Sequence, residues 1–558
     1  MISAHVSHHV SHMKLNLIPA LIITITSVAL YANTLLNGFV YDDYATIVNN
    51  GFITDLHNLS KLFTNEYFIH SKELSYRPVV TFTYFVDHFI FDLKPWGFHL
   101  TNVLIHTGNG LILYVFLTML MNKLAIEDSG LRTSTVRDKP LLNLPFLISL
   151  LFVSHPAMTE AVNAISFRED LLVSFFYISA LTLYLAIREE VDFKPLSMGI
   201  IYLIFCLLYM MALFSKEMAA TLPLITCCYE WLCGSGRKRL RSIFNKYNLG
   251  IIFITMAYIY LRFYLLYSPI EGGIEAWIFF ERILSLPSLI IYYLKLIIFP
   301  LSLTTQHTFI PIKSLFTIAL IVPLSFIVLI VFMAFSQRTN KIISFGLSFF
   351  LITLIPVYNI VPIANPFAER YLYLPSIGAL MVIGSFYTLS RGDKYGRINA
   401  GKPYISVIFF IIISLYFINT IKRNTVWRDD YSLWANTVGT EIESDRAYNN
   451  LGIAYGKQGR YDEAMKAFLT VLRHDPTNVE AHNNVGLIYF KTGMLDEAIK
   501  EFNIALSLDP SYSEGHYNLG IVYLDKGLKE KAIKEFQNAL KTSPDFLPAS
   551  QALKAINK

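Results

Sequence analysis

The first 424 residues alternate between long apolar stretches and short polar connections. Twelve stretches are long enough, or nearly so, to cross a hydrocarbon layer of about 30 Å as helices. They lie at approximately 17–36, 98–121, 141–155, 170–187, 196–214, 218–233, 247–267, 283–303, 314–335, 341–358, 371–390 and 403–421. The pattern predicts a polytopic bundle of membrane helices.

The first apolar stretch, 17–36, is too long and too uniformly apolar for the core of a typical signal peptide, and no small-residue cleavage pattern follows it. We interpret it as a retained first span. Basic residues gather after the second, sixth, ninth and eleventh stretches, and the positive-inside rule places those connections in the cytoplasm. Successive spans place their connections on alternating sides of the membrane. All four basic connections then lie in the cytoplasm only if one stretch between 247 and 335 does not cross.

Residues 283–303 are the best candidate for a stretch that does not cross, because Pro287 lies inside it and Pro300 is near its end. We expect a re-entrant or surface helix there. The chain then has about eleven spans, and its C-terminal region faces the non-cytoplasmic side. Basic residues at the end of the last stretch oppose this topology, since it places Lys422 and Arg423 outside.

Beyond residue 424 the chain repeats a set of small, aromatic and helix-ending positions. The motifs Asn449–Gly452, Asn483–Gly486 and Tyr517–Gly520 begin 34 residues apart, and Phe468, Phe502 and Phe536 keep the same interval. This is the period of tetratricopeptide helix pairs, which stack into a solenoid with a concave groove for a peptide or protein. The predicted fold is therefore all-α, with a membrane bundle followed by an α-solenoid.

The predicted domain boundaries follow from these patterns. A membrane domain covers 1–424, and a linker at 425–444 contains a half-repeat helix around Trp434. Three repeats follow, and the chain closes with a capping helix. Their predicted ranges are 445–478, 479–512 and 513–546 for the repeats and 547–558 for the cap.

Composition supports a membrane protein and excludes some partners. Hydrophobic residues make up 54% of the 558 residues, and charged residues only 16%. The net charge of +5 is small, and no basic stripe interleaved with aromatics is present, so we expect no nucleic-acid partner. The N-terminal histidines, His5, His8, His9 and His12, have a spacing that suits a metal, but a solvated tail is the better interpretation.

Chemically distinctive residues first appear just after the first span, where Asp42 and Asp43 stand together. A solvated turn is the ordinary explanation of such a pair. The following segment contains Arg77, and the next span carries polar residues spaced three or four apart, which places them on one helix face near the membrane boundary. These polar residues are His99, Asn102 and His106.

Further polar groups lie at the ends of later spans. Together with the group from Asp42 to His106 they form four polar islands on one side of the membrane, which suggests a cavity for an anionic lipid headgroup. The alternative is that the charged residues pair with their sequence neighbours or extend to water. The members of the other three islands are His155, Glu160, Arg168, Glu169, Asp170, Lys216, Glu217, Glu369 and Arg370.

These motifs together resemble a known family. The chain contains an Asp-Asp loop, Tyr-Arg-Pro, Pro-Trp-Gly-Phe-His-x-x-Asn-x-x-x-His, His-Pro-x-x-Thr-Glu-Ala-Val, Arg-x-Asp-Leu-Leu, Ser-Lys-Glu and Ala-Glu-Arg-Tyr-Leu-Tyr-Leu-Pro-Ser, followed by the repeats. This set resembles the transmembrane and tetratricopeptide-repeat O-mannosyltransferases of the GT-C superfamily. With three clear repeats and short loops, the chain resembles a prokaryotic relative located in the plasma membrane.

The resemblance implies an inverting membrane glycosyltransferase with its active site and repeats on the non-cytoplasmic face. It implies transfer of mannose from a polyprenyl-phosphate donor to a Ser/Thr hydroxyl of a protein or peptide acceptor, which the repeats recruit. Two alternatives stay open: the same donor chemistry on a lipid or surface glycan, and a non-catalytic scaffold or transporter whose repeats dock a partner. The resemblance implies no defined metal site, although a divalent cation such as Mg²⁺ or Mn²⁺ is compatible with it.

The resemblance also implies roles for individual residues. Asp42 is the expected general base, and Asp43 is expected to orient a substrate or help to hold a divalent cation. Cations and a histidine are expected to stabilise the departing phosphate: Lys216, Arg168, Arg370 and His155. The expected substrate-binding residues are Arg77, His99, Asn102, His106, Glu160, Asp170, Glu217 and Glu369.

Overall fold

The computed structural model describes most of the chain, and all regular structure in the described ranges is helical, which confirms the predicted fold class. The described residues are 17–64, 66–67, 76–129, 143–189, 197–234, 238–265, 276–307, 312–336, 340–358, 367–389, 403–440 and 444–556. The N-terminal histidines lie outside them. The chain divides into two compact units, Met1–Arg428 and Asp429–Lys558.

The first unit, which we call the membrane unit, forms helices at each of the twelve predicted apolar stretches. It also contains a helix within the predicted connection between the first two apolar stretches. This helix, α2, is short and carries Thr, Asp and His among its apolar residues. The helices are α1 Leu17–Tyr31, α2 Pro78–Phe91, α3 Pro95–Ser129, α4 Leu144–Ser154, α5 Thr159–Asn163, α6 Arg168–Arg188, α7 Met198–Leu213, α8 Leu222–Cys233, α9 Lys238–Ile243, α10 Lys246–Tyr260, α11 Ala276–Ile298, α12 Ile318–Phe335, α13 Lys341–Thr353, α14 Ser376–Leu389 and α15 Pro403–Val426.

Within the described part of the chain, five helical segments are long and apolar enough to cross a membrane. A sixth possibility is the pair formed by α4 and the segment Pro156–Asn163, which meet at a bend of 54°. The chain is accordingly an integral membrane protein. The count of eleven spans stays a prediction, as does the non-crossing role of 283–303, which the structure places largely within the Pro287-containing helix α11.

The centre of the membrane unit is the packing of α3 against α1, α4 and α6. Small and polar residues allow these helices to approach closely, as at the buried hydrogen bond of 2.9 Å between the Ser27 and Thr107 hydroxyls. Helices α13 and α14 also approach each other closely at two glycines, so closely that a Cβ on Gly378 would overlap the Gly346 carbonyl oxygen. This packing fixes the helix ends from which the candidate site is built.

The second unit, the repeat unit, consists of paired helices at the predicted 34-residue interval. The pairs pack through a contact in which a glycine of one helix faces a phenylalanine ring of the next, as Gly486 faces Phe502. Glycines with positive φ, such as Gly493 at 81°, end the first helix of each pair. The helices are α16 Asp430–Thr440, α17 Asp445–Lys457, α18 Tyr461–His474, α19 Val479–Lys491, α20 Leu495–Leu508, α21 Ser513–Asp525, α22 Lys529–Thr542 and α23 Leu547–Ile556.

Candidate functional site

The loop after α1 presents its two aspartates to different environments. Tyr41 adopts φ of 54°, in the left-handed region that costs a residue with a Cβ about 1–2 kcal/mol. The ring of Tyr41 packs edge-on against Phe167, with centroids 6.1 Å apart. Directly after this turn, Asp42 is half-buried and Asp43 is fully buried. Asp42 is therefore the aspartate of this pair that remains accessible from outside the protein.

Asp43 holds the loop against the start of α6. Its Oδ1 accepts a hydrogen bond of 2.7 Å from the Ser166 amide, and its Oδ2 accepts one of 3.2 Å from the Val40 amide. Burial raises the pKa of Asp43 from 3.8 to about 7, although the bonds from the Ser166 and Val40 amides favour the ionised form. Asp43 thus positions the loop, and its neighbour Asp42 is the more accessible of the two carboxylates.

The raised pKa of Asp43 predicts a pH-dependent stability. Between about pH 4 and pH 7 the folded protein retains a proton that the unfolded chain has lost, so stability falls as pH rises through this interval and is level above it. We expect the melting temperature in detergent to fall by on the order of 5 °C over this range. The Asp43→Asn variant should lack this component of the slope, and an unchanged slope in that variant would contradict the assignment.

The predicted polar face of α3 is buried and joins separate segments. The Nε2 atom of His99 lies 3.4 Å from the Gly38 carbonyl oxygen, next to the aspartate loop. Asn102 donates to the Val162 carbonyl at 3.0 Å, and His106 Nδ1 lies 2.6 Å from the Tyr373 hydroxyl. These three residues therefore hold the elements around the site in place, and a direct contact with substrate stays a prediction for each.

Arg168 is fully buried and its guanidinium is surrounded by acceptors. It forms an ion pair of 2.6 Å with Asp87 on α2 and donates to the Asn102 side-chain oxygen at 2.7 Å. It also donates to Thr83 at 3.0 Å and to the Phe98 carbonyl at 3.1 Å. This set of bonds connects α2, α3 and α6.

Lys216 and Arg370 are paired in the same way. The Lys216 Nζ lies 2.6 and 2.7 Å from the two carboxylate oxygens of Asp170. The Arg370 guanidinium donates to Glu160 at 2.5 Å, and its backbone amide donates to the other oxygen of that carboxylate at 2.9 Å. The Arg370 guanidinium also lies 3.8 Å from the ring centroid of Phe167, the residue that packs against Tyr41.

We call this arrangement the ion-pair layer, and it brings the four polar islands of the sequence together. Each cation pairs with a carboxylate from a distant segment, whereas the alternative drawn from the sequence expected pairing with the adjacent residue. The side chains of the three cations expected at the phosphate are between 0% and 8% exposed. The members of the layer are Arg77, Asp87, Glu160, Arg168, Glu169, Asp170, Lys216 and Arg370.

Arg77 is the most exposed cation of the layer, with 24% of its side chain accessible. Its guanidinium lies 2.8 Å from Glu169 and 3.8 Å from Glu217, whose side chain is 42% exposed. Glu169 in turn lies 3.8 Å from Lys216. Arg77 therefore presents a positioned guanidinium at the accessible edge of the layer.

The remaining predicted site residues serve neighbouring segments. His155 caps the turn after α4 by accepting a hydrogen bond from the Ala157 amide at 3.1 Å, and its Nε2 lies 2.8 Å from the Ile297 carbonyl. Glu369 is fully buried, accepts a hydrogen bond from the Thr304 amide and lies 3.7 Å from the Arg423 guanidinium. A role of either residue toward a phosphate or sugar stays a prediction.

The chemistry of the described side chains does not fit a resident metal ion. No group of three or more His, Cys, Asp or Glu side chains within the described ranges is arranged to hold one. Both carboxylate oxygens of Asp43, the residue considered for a cation, accept hydrogen bonds from backbone amides.

Sequence reasoning missed residues whose contacts hold the site together. Asp87 lies on α2, and an aspartate within a largely apolar fourteen-residue helix is the signal that indicates a buried partner. Asn163 and Asn424 form side-chain hydrogen bonds across the unit, but a single asparagine carries no comparable pattern in the sequence. Phe167 connects the aspartate loop with Arg370.

These features define a polytopic helical membrane protein that is followed by a tetratricopeptide-repeat solenoid. Family models described as tetratricopeptide repeat match residues 445–478, 467–500 and 513–546, and one described as TPR repeat matches 486–527. A solved structure of the first TPR domain of human RPAP3 is 26% identical, with a TM-score of 0.20, and covers 20% of this chain and 89% of that domain.

Curated relatives extend the similarity over the membrane unit. The protein O-mannosyl-transferase F38B6.6 of Caenorhabditis elegans is 26% identical over 487 residues, which are 82% of this chain and 63% of the relative. The human protein O-mannosyl-transferase TMTC3 is 24% identical over 502 residues, which are 81% of this chain and 51% of the relative. The chain thus spans between half and two-thirds of the length of these relatives. Its homologues are protein O-mannosyl-transferases, which confirms the resemblance drawn from the motifs.

Proposed function

We propose that this protein is a membrane glycosyltransferase that moves mannose from a polyprenyl-phosphate carrier to a Ser/Thr hydroxyl of a protein acceptor. The observation that carries the proposal is the position of Asp42. It is half-buried at the end of a strained turn, and the adjacent Asp43 is bonded to the segment that begins the ion-pair layer. Similarity to curated protein O-mannosyl-transferases supports the same reaction class.

In the proposed reaction, the Asp42 carboxylate accepts the proton of the acceptor hydroxyl as its oxygen attacks the anomeric carbon of the sugar. The new carbon–oxygen bond forms while the bond from that carbon to the phosphate oxygen breaks. The leaving polyprenyl phosphate takes the electron pair. Attack from the face opposite the phosphate inverts the configuration at the anomeric carbon.

We assign Arg77 as the cation that contacts the donor phosphate. The charge that develops on the leaving phosphate needs a preorganised cation, and an arginine is well suited because its guanidinium can donate two parallel hydrogen bonds. Arg77 pairs with a buried carboxylate, as do Arg168, Lys216 and Arg370, but its side chain is more accessible than theirs. In this assignment Glu169 orients the Arg77 guanidinium, and Lys216 in turn orients Glu169.

The repeats fit the role of holding the acceptor chain, because stacked helix pairs present a concave surface suited to an extended segment. On the positive-inside argument, the aspartate loop and the repeats face the non-cytoplasmic side of a prokaryotic plasma membrane. Protease protection of the repeats in inverted vesicles tests this topology. If protease added outside the inverted vesicles cleaves the repeats, the repeats face the cytoplasm and this topology is wrong.

If Arg77 contacts the donor phosphate, replacing Arg77 should weaken binding of the donor more than binding of the acceptor. We expect Arg77→Gln to raise the KM for polyprenyl-phosphate mannose roughly tenfold or more, with a smaller change in the KM for the acceptor. Arg188 lies at the opposite end of α6 from the layer, pairs with Glu230 and has a side chain that is 30% exposed, so Arg188→Gln provides a matched control. Equal effects of Arg77→Gln on the two KM values would contradict the assignment.

The function itself is tested with the purified full chain in lipid vesicles, supplied with radiolabelled polyprenyl-phosphate mannose and a Ser/Thr-rich peptide. The expected result is label on the peptide, with the sugar located on a hydroxyl by mass spectrometry. Label on lipid or glycan instead of peptide would show that the acceptor is a lipid or a glycan and not a protein. No consumption of the donor under any acceptor condition would overturn the glycosyltransferase proposal.

A further inference from the structure

Three buried asparagines meet in the membrane unit although they lie far apart in sequence, and we call this cluster the asparagine junction. Asn37 follows α1, Asn163 ends α5, and Asn424 lies in the last turns of α15. Asn163 and Asn424 are fully buried, and Asn37 is 6% exposed. The junction therefore joins the aspartate loop, the segment leading to Ser166, and the end of the last membrane helix.

The three side chains bond directly to one another. Asn163 donates through Nδ2 to the Asn424 Oδ1 at 2.8 Å, and Asn37 donates through Nδ2 to the Asn163 Oδ1 at 3.2 Å. A buried amide network of this kind is strong when every member has its partners, and costly when one is lost.

Backbone carbonyls fix the orientation of each amide in the junction. The Nδ2 of Asn163 also donates to the Thr159 carbonyl at 2.9 Å, and the Nδ2 of Asn424 donates to the Leu30 carbonyl at 2.9 Å. The Nδ2 of Asn37 donates to the Asn424 carbonyl at 3.2 Å. A carbonyl oxygen can only accept a hydrogen bond. If any of these side-chain amides rotated by half a turn, its Oδ1 would therefore face a carbonyl oxygen.

Next to the junction, a backbone hydrogen bond joins the aspartate loop to the last residue of the membrane unit. The Gly38 amide donates to the Arg428 carbonyl at 2.9 Å, and Arg428 is the last residue of the membrane unit. The chain enters the repeat unit at the next residue, Asp429. The loop that carries Asp42 is thus hydrogen-bonded to the backbone segment from which the repeats begin.

We propose that the asparagine junction is a positioning device that couples the entry of the repeats to the Asp42 loop. A displacement of the end of α15 moves the Asn424 side chain and the Arg428 carbonyl, and both act on the loop through Asn37, Asn163 and Gly38. The catalytic consequence rests on the proposed function: acceptor held by the repeats would tune the placement of Asp42 through this path. Asn37, Asn163 and Asn424 act as positioning residues and do not touch the substrate in this proposal.

The coupling is tested by hydrogen–deuterium exchange on the full chain in nanodiscs. Asn163→Asp keeps the acceptor for Asn37 but places an oxygen against the Asn424 Oδ1 and the Thr159 carbonyl. We expect amide exchange to accelerate about tenfold both in the loop that contains Gly38 and at the end of α15, with the rest of the unit unchanged. The two regions are 37–44 and 421–428.

A matched control separates the junction from the general cost of changing a buried asparagine. Asn248 is fully buried on α10, and its Nδ2 donates to the Ile243 carbonyl at 2.8 Å. Asn248→Asp should leave exchange at 37–44 and 421–428 unchanged. If Asn163→Asp fails to insert, Asn37→Ala removes only the two 3.2 Å bonds and serves as the milder variant.

Two results would overturn the coupling. One is exchange in the Asn163→Asp protein that rises in only one of the two regions, and the other is exchange that rises equally throughout the membrane unit. Transfer assays add a separate readout, in which Asn37→Ala should lower kcat severalfold with the donor KM nearly unchanged. If the unaltered protein transfers no sugar, the proposed function fails, whereas the exchange data still decide whether the junction couples the two segments.

Discussion

Asp42→Asn should abolish sugar transfer while leaving the membrane unit folded. The substitution removes the carboxylate that accepts the proton of the acceptor hydroxyl, and the loss of a general base typically lowers the rate by about 10²- to 10⁴-fold. Because Asp42 is half-buried and its neighbour Asp43 makes the bonds that hold the loop, we expect little change in melting temperature. Initial rates with radiolabelled donor, at saturating donor and acceptor, measure the effect.

The control for this prediction is Asp55→Asn, which changes an exposed aspartate later in the same loop region. Asp55 caps a short helix by accepting a hydrogen bond from the His57 amide, and transfer should survive its replacement. Binding of the lipid donor to Asp42→Asn should also stay within a few-fold of the unaltered protein. Unaltered turnover in Asp42→Asn would remove this residue from the mechanism, and a loss of donor binding would indicate a structural role instead.

The sequence was sufficient to predict most of the helices and the repeats, because both depend on local periodicity. Gly486 and Phe502 both recur at the 34-residue interval, and apolar length alone locates α3 and α6. Glycines with positive φ, such as Gly493, recur at the same interval. Helix α2 was missed because its fourteen residues are too few for a span and include polar side chains that face the protein interior.

The partners of the charged residues were beyond sequence reasoning for a physical reason. Arg168 pairs with Asp87, which lies 81 positions earlier in the chain, and Arg370 pairs with Glu160 over an interval of 210. Such contacts depend on how the helices pack, and no local pattern reports them. The sequence therefore indicated which residues are chemically unusual, whereas the structure shows that buried carboxylates neutralise most of the cations.

The pairing within the layer reassigns the role of Lys216 in the proposed mechanism. As a free ammonium it would contact a phosphate directly, but its Nζ lies between the two oxygens of Asp170, and its side chain is only 7% exposed. A buried lysine paired in this way holds its partner elements together, here the start of α6 and the turn before α8. Its influence on a donor would then pass through Glu169 to Arg77.

This role predicts a large and reciprocal effect on stability. Lys216→Met leaves the Asp170 carboxylate buried without its partner, and Asp170→Leu leaves the ammonium in the same position. Breaking a buried pair from one side typically costs about 3–5 kcal/mol, whereas replacing both members with apolar residues is often neutral. We expect each single variant to lose most of its folded yield in detergent, and the double variant Lys216→Met/Asp170→Leu to recover much of it.

The double variant also distinguishes a structural pair from a ligand contact. If Lys216 acts only by holding α6 and by orienting Glu169, the recovered double variant should retain donor binding that is weakened by no more than the loss of that orientation. If the ammonium contacts the phosphate, the double variant should fold and yet fail to bind the donor lipid. Thermal unfolding and donor binding on the same preparations measure both quantities, and a double variant less stable than either single variant would show that the two side chains do not act as a pair.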